Sequence, residues 1–247
     1  MTLVASIYRH PIKAIGVEEI ASVDLEPGQT MPWDRVWAVA HEAAKVSPEG
    51  GEWAKCMNFV RGASSPALMA VQVKVNVDDT LTLRHPERPD LTLDPKTEGA
   101  ALVGWVRPIC NPDRAQPSFV YRADIGITDS SFPSISILNL ATLDELARKV
   151  GKPLSPLRFR GNIWLDDLDA WEEFDWIGKT LRIGSVEMEV RERITRCTAT
   201  TVDPDTGKVD ADTLGALESG WGHRDFGIKA LVTQKGTISK GDALELL

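Results

Sequence analysis

A single cysteine within a run of hydroxyl and charged residues is the feature of this sequence that most clearly carries chemistry. Cys197 lies in Thr195-Arg196-Cys197-Thr198-Ala199-Thr200-Thr201, and the turn sequence Asp203-Pro204-Asp205-Thr206-Gly207 follows. Arg193 and Arg196 precede the thiol, and nearby positive charge favours the thiolate, which is the form that binds metals. The pattern indicates a thiolate ligand where a strand gives way to a loop. The alternative is a small buried apolar residue, the usual role of a free cysteine.

The cysteine count limits what other chemistry the chain can hold. There are three cysteines, Cys56, Cys110 and Cys197, widely spaced and without a CxxC pair. This number and spacing fit neither a disulfide framework nor a zinc site. They also exclude a four-cysteine iron–sulfur cluster within the chain. Cysteine chemistry here therefore belongs to single thiols.

Asp203 is the candidate acid nearest to this cysteine in the sequence. It lies six residues after Cys197 and is a candidate to donate a proton or to position a water. The alternative is a side-chain hydrogen bond to the backbone of its own turn, as aspartates in turns commonly make. Asp129 is a second candidate of the same kind. The four histidines show no spacing typical of metal ligands.

The elements that must position these residues are mostly strands. Alternating apolar residues predict strands at 3–8, 20–25, 36–40, 70–77 and 81–84, and again at 162–165, 180–183, 186–190, 230–233 and 243–247. The early strands follow one another too closely for crossover helices, so a closed or half-closed barrel is the economical way to hide their edges. The fold class predicted is β-rich α+β with a few helices.

The clearest helix runs from Asn139 to Val150. Leucines recur on one face, acidic residues come early and basic residues late, and Gly151 supplies a stop. A short second helix is predicted at 212–217. A seam near residues 115–130 divides the chain into parts of 1–120 and 121–247, which are either separate or interleaved.

Composition is that of an ordinary globular protein. The chain has 247 residues, 43% hydrophobic and 26% charged, with a formal net charge of −8. The negative charge disfavours an extended nucleic-acid surface, although it leaves room for a local basic pocket. No apolar run approaches the roughly 20 residues needed to span a bilayer, and no secretory signal is visible. We therefore expect a cytoplasmic protein without nucleic-acid or membrane partners.

The segment Arg196 to Gly207 resembles the MOSC family, and most closely the branch of the mitochondrial amidoxime reducing component and its bacterial relatives. Other family-like segments occur in the same order, namely His10-Pro11-Ile12-Lys13, Trp33-Asp34-Arg35-Val36-Trp37, Phe159-Arg160-Gly161-Asn162-Ile163 and Gly236 to Asp242. The resemblance spans nearly the whole chain. It implies an N-terminal β-barrel-like domain over residues 1–120, followed by a MOSC β-barrel domain over residues 121–247.

The resemblance also implies a cofactor. Family members hold molybdenum through the dithiolene sulfurs of a molybdopterin and one protein thiolate, which here is Cys197. Molybdopterin is an extended anion with a phosphate, so its pocket needs cations and hydrogen-bond donors. The matching positions are Lys13, Arg35, Asn139, Thr142, Arg160, Asn162 and Arg196. The alternatives are a solvated surface charge for each cation and a helix cap for Asn139 or Thr142. Ala14 departs from the serine that the family often has.

The function that follows from the resemblance is reduction of N-hydroxylated small molecules such as amidoximes and N-hydroxylated bases. The cysteines cannot build a second redox centre, so electrons are expected from a separate carrier of the ferredoxin or haem type. Two alternatives stay open. One is a sulfur- or cofactor-handling carrier in which Cys197 bears a persulfide, and the other is a binding module without activity.

Overall fold

The computed structural model describes all 247 residues as fifteen strands, three α-helices and short 3-10 turns. The strands are β1 Leu3–Arg9, β2 Glu18–Ile20, β3 Ser22–Leu25, β4 Trp37–His41, β5 Gln72–Val75, β6 Leu81–His85, β7 Arg88–Leu93, β8 Pro117–Arg122, β9 Ile135–Asn139, β10 Ile163–Asp166, β11 Thr180–Ile183, β12 Val186–Thr195, β13 Asp225–Gln234, β14 Gly236–Ser239 and β15 Leu244–Leu246. The helices are α1 Gly99–Val106, α2 Leu140–Val150 and α3 Thr213–Trp221. The β-rich α+β class is confirmed.

The largest element is an eight-stranded sheet that curls into half a barrel, with the order β15-β11-β12-β13-β9-β10-β1-β2. Buried residues alternate with half-buried ones in several of its strands, as over residues 186–190, and the buried face encloses a core cluster of 20 residues. The pattern is that of a sheet with one face on the core. β1 pairs with β10 and β3 pairs with β14, so the start of the chain is interleaved with its second half. A single cut at residue 120, which falls inside β8, does not separate the sheets.

The first half of the chain builds a second core of 17 buried residues from β4 paired with β8, the three-stranded sheet β5-β6-β7, and α1. The helix α1 was not predicted. Its sequence, GAALVGWV, contains no charged residue, so it shows no amphipathic periodicity from which a helix can be recognised. Trp105 on this helix is buried, and its indole N–H donates to the carbonyl of Pro89 at 2.7 Å.

Helix α2 confirms the prediction from sequence. The Asn139 side chain caps its start by accepting the Ala141 N–H at 2.9 Å, and Gly151 ends it with φ of 84°. Its leucines pack against α3 in a third core cluster. Helix α3 reaches Trp221, four residues further than the predicted end at 217. All three helices are too short or too polar to cross a membrane.

Candidate functional site

Cys197 lies just beyond the end of β12, at the start of the 3-10 turn Thr198–Thr201. Its carbonyl accepts the Thr200 N–H at 3.2 Å and the Thr200 hydroxyl at 3.1 Å, which fixes the backbone of the turn. The residue is exposed and lines a cavity of about 400 Å³, hereafter the inner cavity. The alternative of a buried apolar cysteine is wrong for Cys197. It describes Cys110 instead, where burial raises the thiol pKa to about 11.

The inner cavity gathers five of the other predicted residues around this thiol. They come from chain segments far apart in sequence, and they are Lys13, Arg35, Arg160, Asn162 and Arg196. Four of the five are cations in a chain whose formal net charge is −8. The alternative of scattered solvated surface charges therefore does not describe them.

Lys13 is held at the wall of the inner cavity by two oxygen atoms. Its Nζ donates to the Ile127 carbonyl at 2.8 Å and to Asp129 Oδ1 at 2.9 Å. Burial lowers the pKa of Lys13, and the Asp129 charge opposes that shift. Desolvation raises the pKa of Asp129, although its side chain is 72% exposed, but the charges of Lys13, Arg35 and Lys229 together outweigh this effect and the net shift is downward. The two groups form an ion pair, and both residues line the inner cavity.

The side chain of Arg35 is held by two buried residues, His10 and Asp34. The sequence did not predict that these two residues are in contact. Asp34 forms an ion pair with the Arg35 guanidinium and accepts the His10 N–H at 2.8 Å. Its carboxylate lies 3.2 Å from His10 Nδ1. Burial and then the charges of Arg160 and Arg35 lower the pKa of His10 to about 3, so the ring is neutral at physiological pH. Both residues stand inside the family-like segments, but only the fold shows that they meet.

Arg160 and Arg196 are bonded to carbonyl oxygens rather than to carboxylates. Arg160 donates to Gly16 at 3.0 Å and to Ile12 at 3.4 Å. Arg196 donates to Phe226 at 2.8 Å and to Phe159 at 2.7 Å. Burial lowers the pKa of each guanidinium to about 9, so both stay protonated at neutral pH. Carbonyls orient these side chains without cancelling their charge, which leaves the positive field available to an anionic ligand.

Left-handed backbone accompanies these cations. Ala14, Arg35 and Arg160 have φ of 62°, 58° and 48°, values that L-residues adopt at a cost of about 1–3 kcal/mol each. All three line the inner cavity. Strained backbone of this kind clusters at functional sites, because the surrounding structure must overdetermine it. The conformation is thus an independent sign that this cavity is the functional one.

Arg158 is a cavity residue that sequence reasoning missed. Its side chain is 3% exposed, and Nη2 donates to Asp210 at 3.0 Å. Its Nε is buried without a hydrogen-bond partner. A buried guanidinium N–H is costly to leave unpaired, so this atom is a donor suited to a ligand in the cavity. Its position directly before the Phe159–Ile163 segment was the signal that could have suggested it.

Asn139 and Thr142 lie outside the inner cavity, so their predicted contact with a cofactor is corrected. The Asn139 amide donates to Glu173 Oε2 at 2.9 Å, and the Thr142 hydroxyl donates to Glu173 Oε1 at 3.1 Å. All three residues are buried, and burial raises the pKa of Glu173. Their donors are used within the fold, and the helix-cap alternative is the one the structure shows for Asn139.

Asp203 also lies outside the inner cavity. Its Oδ1 accepts the N–H of Asp205 at 2.8 Å and of Thr206 at 3.3 Å. The structure thus shows the turn-forming alternative and does not bring Asp203 to the inner cavity, and the catalytic role of Asp203 stays a prediction. Asp129, the weaker candidate in the sequence, is the carboxylate that reaches the cavity.

The residues of the inner cavity fit a molybdenum cofactor. An exposed thiol would supply a soft sulfur ligand for the metal, and the seven cationic side chains of the lining, with the unpartnered buried N–H of Arg158, suit an anionic pterin with its phosphate. No cluster of three or more histidine, cysteine or acidic side chains offers a metal site made of protein alone. A metal bound at Cys197 would therefore need further ligands, and a dithiolene would supply them.

A second, larger cavity of about 1040 Å³, hereafter the outer cavity, opens beside the inner one. Four residues line both cavities, namely Cys56, Arg61, Thr128 and Asp129. The outer cavity lies between segments 51–57 and 124–133. The two cavities thus adjoin each other at these four residues.

Comparison with known proteins gives matches over both parts of the chain. The model of the MOSC N-terminal beta barrel domain matches residues 1–105, and that of the MOSC domain matches residues 128–245. Mitochondrial amidoxime-reducing component 1 of Homo sapiens is 26% identical over 99% of this chain and 82% of its own length. Mitochondrial amidoxime reducing component 2 of Bos taurus is 26% identical over 84% of this chain and 68% of its own length. The crystal structure of the YUAD protein from Bacillus subtilis superposes with a TM-score of 0.49 at 13% identity, over 100% of this chain and 96% of that one.

Proposed function

Because the chain belongs to the MOSC family, with a MOSC N-terminal beta barrel domain followed by a MOSC domain, we propose that it is a molybdenum-cofactor-dependent reductase of N-hydroxylated small molecules. Family and relatives support a role related to the molybdenum cofactor, as a reductase or a sulfurase-like protein. The observation that carries the finer proposal is the exposed Cys197 thiol in a cavity lined by seven cationic side chains. Amidoximes and N-hydroxylated bases are the proposed substrates.

When bound, the cofactor would supply two-electron chemistry, in which an N–OH group, two electrons and two protons give N–H and water. The residues of this chain do the rest. Cys197 would hold the metal, while Lys13, Arg35, Arg160 and Arg196 would neutralise the anionic pterin. The backbone carbonyls on Arg160 and Arg196 fix the directions of those charges before the cofactor arrives.

Within the proposed reductase function, we infer that the electrons reach this site from another protein. The chain has three cysteines, fewer than a four-cysteine cluster needs, and no group of three or more histidine, cysteine or acidic side chains offers a metal site. We propose a ferredoxin- or haem-type carrier as the donor.

The second candidate function is a sulfur or cofactor carrier. The same exposed Cys197 favours it, because a persulfide or a cofactor handed to another protein needs an accessible sulfur. The two functions differ in what the purified protein holds. A reductase holds molybdenum in stoichiometric amount, whereas a persulfide carrier holds labile sulfane sulfur without metal.

Elemental analysis of the purified protein, together with the electron paramagnetic signal of Mo(V), tests the proposal. We expect about one molybdenum per chain and reduction of benzamidoxime with reduced viologen dye as donor. Cys197→Ala should lose both the metal and the turnover. Cys56→Ala, which removes a different thiol from the same cavity, should keep both. A Cys197→Ala protein that retains metal and activity would overturn the assignment.

A further inference from the structure

A third cavity, of about 370 Å³, lies in the N-terminal half of the chain and is lined by residues of segments 41, 59–65 and 114–115. Its polar lining residues are His41, Arg61, Ser64, Ser65 and Arg114. The lining thus contains two arginines and no carboxylate. A concave surface of this composition attracts an anion, because nothing in its wall cancels the positive charge.

The two arginines are not engaged by carboxylates of the fold. Arg61 Nη1 has only a weak partner, the Cys56 sulfur at 3.7 Å, and the Arg114 side chain is exposed. The acidic residues closest to this lining in sequence, Glu42 and Asp113, are not part of it. Glu42 accepts a backbone N–H at 3.2 Å instead. Both guanidinium groups are therefore available to a ligand.

The backbone that carries these arginines is well ordered. The Arg61 carbonyl accepts the N–H groups of Ser64 at 3.0 Å and Ser65 at 2.8 Å, and the Ser64 hydroxyl at 3.2 Å. The Ser65 hydroxyl oxygen accepts the Asn111 N–H at 3.0 Å, and the Asn111 carbonyl accepts the Arg114 N–H at 3.2 Å. These bonds tie the two arginine segments together, which lowers the entropy cost of binding a ligand between them.

His41 gives this cavity a hydrogen-bond acceptor. The residue ends β4 opposite Pro117, where the strand register shifts, and its Nε2 lies 2.7 Å from the Met57 carbonyl oxygen. Because a carbonyl only accepts, Nε2 carries the hydrogen, and the neutral ring leaves Nδ1 as an acceptor. Nδ1 is buried and has no hydrogen-bond partner in the fold. Buried polar atoms are nearly always paired, so Nδ1 calls for a ligand that donates.

We propose that the third cavity binds inorganic phosphate as its monohydrogen dianion. This ion combines the two features that the wall requires, which are negative charge for Arg61 and Arg114 and one hydroxyl that donates to His41 Nδ1. Sulfate has the same charge and shape but no proton. A phosphate ester loses its last ionisable proton near pH 6, so it also lacks the donor at higher pH. The site is separate from the proposed cofactor site and does not rest on the reductase function.

Calorimetric titration of the purified protein at pH 8 tests the proposal, since neutral imidazole predominates in water at that pH. We expect phosphate to bind about tenfold more tightly than sulfate or methyl phosphate, the effect of one hydrogen bond to a buried acceptor. His41→Gln keeps an amide N–H that can reach the Met57 carbonyl but has no acceptor in place of Nδ1. It should abolish the preference for phosphate and leave the sulfate affinity unchanged.

A second variant shows where the anion binds. Arg114 lines the third cavity but neither the inner nor the outer one, whereas Arg61 lines all three. Arg114→Gln should weaken all three anions about threefold to tenfold, with an effect that fades at high salt. The control Arg148→Gln removes an exposed arginine of α2 and should bind as the parent does.

Three results would overturn the proposal. One is equal affinity of the parent protein for phosphate, sulfate and methyl phosphate. Another is a preference for phosphate that survives in His41→Gln, because the acceptor would then not be Nδ1. The third is phosphate binding that Arg114→Gln leaves unchanged, because the ion would then lie in another cavity.

Discussion

The two adjoining cavities are built in opposite ways. In the inner cavity the cations are buried and bonded to backbone carbonyls, as in the bonds from Arg196 to Phe159 and Phe226. The outer cavity is lined largely by exposed side chains on two segments, which are joined by the Gly51–Ala123 bridge and by the bond from Trp53 to Thr128. The inner cavity is thus rigid and cationic, whereas the outer one is open and partly apolar.

The difference suits two roles, which are cofactor binding in the inner cavity and ligand binding in the outer one. A metal cofactor needs fixed geometry and a preset field, because its ligands must not rearrange during the reaction. A broad set of substrates needs an apolar wall that side chains can adjust. Substitutions in the inner cavity should therefore change metal content, and those in the outer cavity should change ligand affinity alone.

The largest effect is expected for Arg160→Lys. A lysine keeps the positive charge but not the fork that reaches the Gly16 and Ile12 carbonyls together. Groups that position a metal site typically change metal affinity about 10- to 100-fold, so we expect molybdenum content to fall on dialysis against a competing chelator. Glu52→Gln/Asp124→Asn, which changes two residues of the outer cavity, should retain the metal of the parent protein. Equal metal loss in both variants would show that metal binding does not depend on the inner cavity alone.

The next largest effect is expected for His10, which is buried beside Asp34 and Arg35. The folded state holds the pKa of His10 at about 3, whereas the unfolded chain protonates the ring near its ordinary 6.5. Between these values the unfolded chain binds the extra proton, so the free energy of unfolding falls as pH is lowered through this range. One residue contributes a slope of at most about 1.4 kcal/mol per pH unit. His10→Asn should give a flatter curve between pH 6.5 and 4 in urea titrations. An identical slope in the variant would mean that His10 is not held neutral by the fold.

Sequence patterns predicted the elements whose signal is local. Helix α2 has leucine periodicity, a capping asparagine and a terminal glycine, all within thirteen residues of chain, and it was found with nearly correct bounds. Helix α1 was missed because its residues are apolar on every side. The pairing of β1 with β10 was not visible either, since it joins residues more than 150 positions apart.

The predictions of site residues also succeeded where the signal was local and failed where it was not. Lys13, Arg35, Arg160, Asn162, Arg196 and Cys197 stand in recognisable segments, and the fold brings all six to one cavity. Asn139 and Thr142 also stood in a recognisable place, but the buried Glu173, thirty-odd residues away, takes their donors. Which partner a polar side chain meets depends on tertiary packing, and a local pattern does not contain that information. The neutral His10 behind Arg35 is hidden from the sequence for the same reason.

The smallest effect is expected for Asp203→Asn, which separates the turn-forming role of this residue from proton donation. An asparagine keeps the Oδ1 that accepts the N–H groups of Asp205 and Thr206, so the turn beside Cys197 stays intact, but it removes the ionisable proton. We expect kcat for benzamidoxime to change less than about twofold, because general acid catalysis would make its loss cost about 10²- to 10⁴-fold. Asp203→Ala removes the acceptor as well and should lower the free energy of unfolding by about 1 kcal/mol, measured by urea titration. A hundredfold fall in kcat for Asp203→Asn at unchanged stability and metal content would restore Asp203 as the acid and extend the reacting groups beyond the inner cavity.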